Sequence, residues 1–292
     1  MRRMHGVSLL ELMVAMALGL MLSAAAIQLF VANQISINLM RGMNDVQANG
    51  RFVIDQMVRD LRLSGLLPVS AGTSTLTVAG LPFSTAEIAD LATVTPTSTA
   101  VNRNAGALTS AVTGLLQNSD QLVTQYVAMD ATTDCEGNSV AAGTFMVSRY
   151  FVRLDNGVAS LACDAGTHNG VSGIAGYGDN GAVLLTGVDS FQVLYGVDDR
   201  ISSGVGNSLA RVARYVDAAT YAALAAPRPT ILSVRIGLYM HSSEPAGNVS
   251  QPTADIQVLD QALAAANIPN DRLLRRLFVT TVSLRNVVLS GV

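Results

Sequence analysis

The sequence predicts an α+β protein, a long N-terminal helix packed on an antiparallel β-sheet domain, from three observations. Residues 7–32 form an almost unbroken apolar run, residues 33–65 continue it as an amphipathic pattern, and the rest of the chain carries recurrent strand-like segments separated by Gly- and Ser-rich turns. Half of the 292 residues are hydrophobic, 13% are charged and the mean hydropathy is +0.38, which excludes a disordered tail.

The run from Val7 to Ala32 is interrupted only by Ser8, Glu11, Gly19, Ser23 and Gln28. As a helix these residues would extend about 39 Å, enough to cross a hydrocarbon core of about 30 Å. Arg2 and Arg3 precede the run and no comparable basic residue follows before Arg41, so the positive-inside rule places the N-terminus in the cytoplasm and the remainder in the periplasm. A secretory signal would have a shorter apolar region ending at a small-residue cleavage site, and a twin-arginine signal would have a longer polar head.

Glu11 is the informative residue. A carboxylate in an apolar membrane helix costs about 2.5 to 3.5 kcal/mol on insertion scales, so it requires a partner. Cleavage between Gly6 and Val7 would create an α-ammonium four residues away, able to neutralise Glu11 in the same chain or in a packed neighbour.

Beyond Ala32, Leu39, Met43, Val46, Gly50, Val53, Met57 and Leu61 trace a seam along one helical face, while Arg41, Asp45, Arg51, Asp55, Arg59 and Arg62 lie on others. Ser64-Gly65, with Pro68 shortly after, supplies the stop. The expectation is one helix of roughly 55 to 60 residues whose second half packs on a globular domain. Residues 71–118 read as a loop-rich connection with one or two short strands. Strands are expected at 121–128, 144–154, 158–162, 182–197, 230–241 and 277–288, and short helices at 218–225 and 255–265. The strand at 231–241, alternating Leu232, Val234, Ile236, Leu238 and Met240 with Ser233, Arg235, Gly237, Tyr239 and His241, should be half-buried.

Cys135 and Cys163 lie in turn-like contexts flanking two central strands, with no Cys-x-x-Cys pattern. In a periplasmic domain a disulfide between them is the natural reading, closing a loop worth roughly 3 to 4 kcal/mol.

The segment Gly6-Val7-Ser8-Leu9-Leu10-Glu11-Leu12-Met13-Val14-Ala15 resembles the class III signal of type IV pilins and type II secretion pseudopilins. The resemblance implies a leader of residues 1–6, cleavage after Gly6 by a prepilin peptidase, methylation of the new N-terminal Val7, and a role for Glu11 in registering subunits. Val7 stands where that family usually has Phe. Residues 192–198, 232–238 and 275–286 are similar to PilW-like minor pilins of type IV pili. That subgroup implies a periplasmic domain over residues 66–292, a helix whose 7–32 half lies in the membrane and then in the filament core, and a 33–65 half against the domain. It further implies localisation first in the inner membrane and then in the pilus, and partners in other minor pilins, the major pilin, a tip adhesin and the inner-membrane assembly platform. The function implied is pilus priming, twitching motility and adhesion. Two readings stand beside it: a minor pseudopilin of type II secretion, and a single-pass, membrane-anchored periplasmic protein.

Nothing organises catalysis. His5, His168 and His241 are scattered and no nucleophile elbow or metalloprotease motif occurs, so neither an enzyme nor a cofactor is expected. Gly176-Tyr177-Gly178-Asp179-Asn180-Gly181 matches a dinucleotide fingerprint but lacks the strand and helix that must flank one, so a turn is the better reading. Tyr177 and Tyr195 are candidates for exposed binding tyrosines, though half-packed tyrosines are the commoner outcome. All 18 basic residues are Arg against 21 acids, a net charge of −3 that is no footprint for nucleic acid.

Overall fold

The computed structural model of the protein describes residues 8–67, 80–84, 87–88, 119–169, 174–198, 211–247 and 249–286. Gly6, Val7 and most of the expected 71–118 connection lie outside the described residues.

Helix α1 (Leu9–Leu63) is continuous over 55 residues. No proline interrupts it, and Ser8, in extended conformation, caps it by accepting the Glu11 N–H at 3.2 Å. It stops at Ser64, followed by Gly65 with φ +77, after which the chain turns along the first strand: the Gly65 N–H donates to the Gln125 carbonyl and the Val127 N–H to that of Leu66.

Two four-stranded antiparallel sheets follow. The first is ordered β1 (Leu122–Val127), β4 (Phe145–Asp155), β5 (Val158–His168) and β6 (Ala182–Thr186). Between its first two members a small hairpin of β2 (Thr132–Thr133) and β3 (Ser139–Val140) projects. The second is ordered β12 (Leu273–Ser283), β9 (Thr230–Pro245), β7 (Val188–Asp198) and β8 (Arg214–Val216). Helix α2 (Ala218–Ala222), capped by Asp217, follows β8.

Four expectations change. The strand expected at 158–162 runs to His168, because Asn156 and Gly157, both at positive φ, form a two-residue turn that pairs β4 and β5 over their full length. The single strand expected at 182–197 is two, split at Gly187 (φ +78), where the chain leaves one sheet and enters the other. The helix expected at 255–265 is instead a hairpin of β10 (Ile256–Val258) and β11 (Gln261–Leu263), ending in a 3₁₀ turn (Ala265–Asn267). Val258 and Leu263 are buried beside Tyr239, so packing on the sheet overrides a weakly helical local pattern. That hairpin covers the face of β9 expected to be solvated, which is why Gly237 and Tyr239 are buried. A Cβ on Gly237 would come within 2.8 Å of Leu259.

The main core is shared by helix and sheets. Val46, Val53, Met57 and Leu61 of α1 join Leu122, Tyr150 and Leu161 of the first sheet and Phe191, Ile236 and Leu238 of the second.

Candidate assembly helix and its globular seat

The first half of α1 touches little else among the described residues. Leu9 is 77% exposed, Leu22 76% and Phe30 62%. The helix is long and apolar enough to cross a membrane by length and composition, with its apolar window entirely unburied. Glu11 lies in the first turn, where a carboxylate complements the partial positive charge of the helix N-terminus.

The second half is seated by close contacts. Its buried face is Gly42, Val46, Gly50, Val53, Met57, Asp60 and Leu61. The expected seam reached back to Leu39 and Met43, but these remain 36% and 39% exposed. The chain leaving β9 meets the helix at Gly42 and Ile35 instead: a Cβ on Gly42 would lie 3.0 Å from that of Ala246, and one on Gly247 3.0 Å from the Ile35 side chain. A Cβ on Gly50 would come within 2.8 Å of the Phe278 ring. Both helical glycines let a neighbour approach where any larger residue would push it away.

Polar groups complete the seat. Asp45 accepts the Ser243 N–H at 3.0 Å and its hydroxyl at 2.7 Å. The Asn286 amide donates to the Arg62 carbonyl at 3.1 Å, covering an orphan acceptor of the last turn. Asp60, 4% exposed, accepts the Tyr150 hydroxyl at 2.6 Å. Burial raises the Asp60 carboxyl above the ordinary carboxylate range, against the hydrogen bonds from Tyr150 and Ser148 and the charge of Arg59. Nothing in the charge pattern singled out Asp60; the available signal was its position three residues after Met57, on the buried face.

Cys135 and Cys163 are joined by a disulfide across 28 residues. Cys163 lies in the middle of β5 and is fully buried, so its expected turn context is corrected. The small and polar residues around it read as a turn, but Asp164 is held in the sheet by the directly opposed Arg149. Their side chains form a fully buried ion pair at 2.6 Å, and Arg149 also donates to the Asp179 carbonyl at 2.7 Å. The Gly178 N–H donates to Asp164 at 3.0 Å. The glycine-rich 176–181 segment is thus a loop lying over this pair, with positive φ at Gly176, Gly178 and Gly181, and no helix follows it. Burial pushes the Asp164 carboxyl up to about 6 despite Arg149, and raises that of Glu136. Carboxylate oxygens of Glu136, Asp164 and Asp179 lie within 4.8 Å of one another, the arrangement among the described residues nearest to a cation site, with the Arg149 guanidinium already supplying positive charge. Tyr177 and Tyr195 are buried, the latter edge-on to Phe83, so neither offers a binding surface.

Residues 149–286 match the family described as Type IV Pilus-assembly protein W, and residues 1–27 match the prokaryotic N-terminal methylation motif. A type IV-like pilin from Thermus thermophilus is similar in structure over 58% of this chain and 80% of its own, at 18% identity and a TM-score of 0.31. No curated protein matches the chain. The two family matches define a type IV pilin-like protein, a structural component and not an enzyme. Within that class residues 149–286 are PilW-like and the N-terminus carries the prepilin methylation motif.

Proposed function

We propose that the chain is cut after Gly6 by a prepilin peptidase, methylated on Val7 and built through α1 into a type IV pilus, where it joins the priming or tip complex and promotes assembly, twitching motility and adhesion. Before assembly it is held in the inner membrane with its globular domain in the periplasm. Its partners are then other minor pilins, the major pilin, a tip adhesin and the assembly platform; no direct contact with nucleic acid is invoked. The observation that carries this reading is a single helix seated on its own domain along one half and bare along the other. Fully burying a Leu or Phe side chain is worth about 1.5 to 3 kcal/mol, so the bare half strongly favours lipid first and neighbouring helices afterwards. The match of residues 149–286 supports a pilus over a secretion pseudopilus.

Glu11 is the residue that distinguishes assembly from anchoring. In the filament core its carboxylate would be matched by the α-ammonium of a neighbouring subunit's first residue. Glu11→Ala is expected to be processed normally and to be depleted from sheared filaments; recovery of the variant in filaments at wild-type yield would refute this role.

A further inference from the structure

We propose that the outer edge of β12, with the basic groove beside it, is a docking site for an extended acidic segment of another polypeptide, which adds to the second sheet as a fifth strand. This inference does not depend on the pilus reading.

β12 stands last in the order β12-β9-β7-β8 and, among the described residues, pairs with β9 alone, in unbroken register from Arg275 opposite His241 to Ser283 opposite Ser233. It is eleven residues long, and from Leu277 to Ser283 it contains neither charge nor proline. Proteins ordinarily protect a free edge with a short strand, a proline, a bulge or a charge, because a row of unpaired backbone groups templates pairing. Here Val279 is 52% exposed, and Thr281 and Ser283 are exposed with it.

A groove of about 390 Å³ runs beside the start of the strand. Every residue from Pro269 to Leu277 borders it, Val249 to Pro252 and Ile256 form further walls, and Tyr239 contributes from the neighbouring strand. A cavity bordered by a continuous strand segment accommodates side chains that project from an added strand.

Charge identifies the occupant. The bordering residues include three arginines against one acid, in a chain whose net charge is −3. Arg275 is held in place by Asp271 at 2.7 and 2.6 Å and by Asp189 at 3.1 Å. Arg272 and Arg276 are exposed, and the left-handed backbone of Arg272 (φ +60), whose carbonyl accepts the Ala246 N–H, sets the bend into β12. An extended segment alternating apolar and acidic residues would pair its backbone with β12, place apolar side chains on the face of Leu277 and Ile256, and put carboxylates on the opposite face beside Arg276, with a further one near Arg272 at the bend.

The test pans the full chain, held in detergent micelles, against a phage-displayed library of random decapeptides. The expected outcome is enrichment of sequences alternating apolar residues with Asp or Glu. A synthetic copy of an enriched peptide should bind saturably, lose about tenfold or more in affinity to the R272E/R276E variant, and lose binding when alternate backbone nitrogens are methylated. Replacing its acids with Lys should restore binding to that variant, whose unchanged circular dichroism would show that it folds. Absence of enrichment, or binding indifferent to charge reversal or N-methylation, would overturn the proposal. Displacement of the peptide by short-chain phosphatidylglycerol would reassign the groove to a lipid headgroup, and concentration-dependent dimerisation abolished by R272E/R276E would reassign it to a second copy; either result overturns it.

Discussion

The two halves of α1 share a helix and an apolar character but meet different surroundings. Gly19, in the first half, would have nothing within 4 Å of an added Cβ, whereas Gly50, in the second, would meet the Phe278 ring at 2.8 Å. Leu18 is 61% exposed and Met57 is fully buried. One half therefore contributes to the stability of its own domain, and the other keeps its apolar surface for something outside the chain. Amphipathicity separates them: the second half alternates a buried face with Arg41, Arg51, Asp55, Arg59 and Arg62, and the first is apolar all round.

Substitutions in the two halves should differ accordingly, measured as denaturation midpoints of the full chain in micelles by near-ultraviolet circular dichroism. Met57→Ala opens a cavity where helix and sheets meet and is expected to cost about 2 to 5 kcal/mol, while Leu18→Ala leaves the midpoint unchanged. A comparable loss for Leu18→Ala would mean that the bare half is folded onto the domain after all. Gly50→Leu drives a side chain into Phe278 and is expected to cost about 1 to 3 kcal/mol; Gly19→Leu is expected to cost nothing by the same measurement.

A smaller effect concerns pH. Burial raises the Asp60 carboxyl, so the folded state binds that proton more tightly than the unfolded state does. Its contribution to stability is fully present below the unfolded value, about 4, and is lost as pH rises through the folded value. Asp60→Asn should therefore flatten the fall in stability that sets in as pH rises above about 4. Asp164, pushed up to about 6, keeps a residual slope of the same sign. An unchanged profile in Asp60→Asn would show that burial in the seat does not raise the Asp60 carboxyl.

Much of this organisation was legible in the sequence, and the failures have definite causes. The long helix declared itself by an apolar run without proline, continued by a seam of 3- and 4-residue steps. The seam failed at Leu39 and Met43 because periodicity marks a face but not how far along the helix the domain reaches. The full length of β5 was signalled by Asn156-Gly157, a strong hairpin turn, and obscured by the small residues after Cys163. Residues 255–265 misled because their strand pairing is stabilised by a distant surface, Tyr239 and Gly237. The Asn286 cap joins residues more than 200 positions apart, and no local pattern encodes that contact.

Under the proposed function the bare half of the helix belongs to an assembled filament. The most direct measurement is the intact mass and N-terminal sequence of the chain recovered from sheared surface fibres and, separately, from membranes. The expected result is a chain in the fibres that begins at methylated Val7. An uncut chain found only in membranes, in cells with a working prepilin peptidase, would contradict the claim and make the helix a plain anchor.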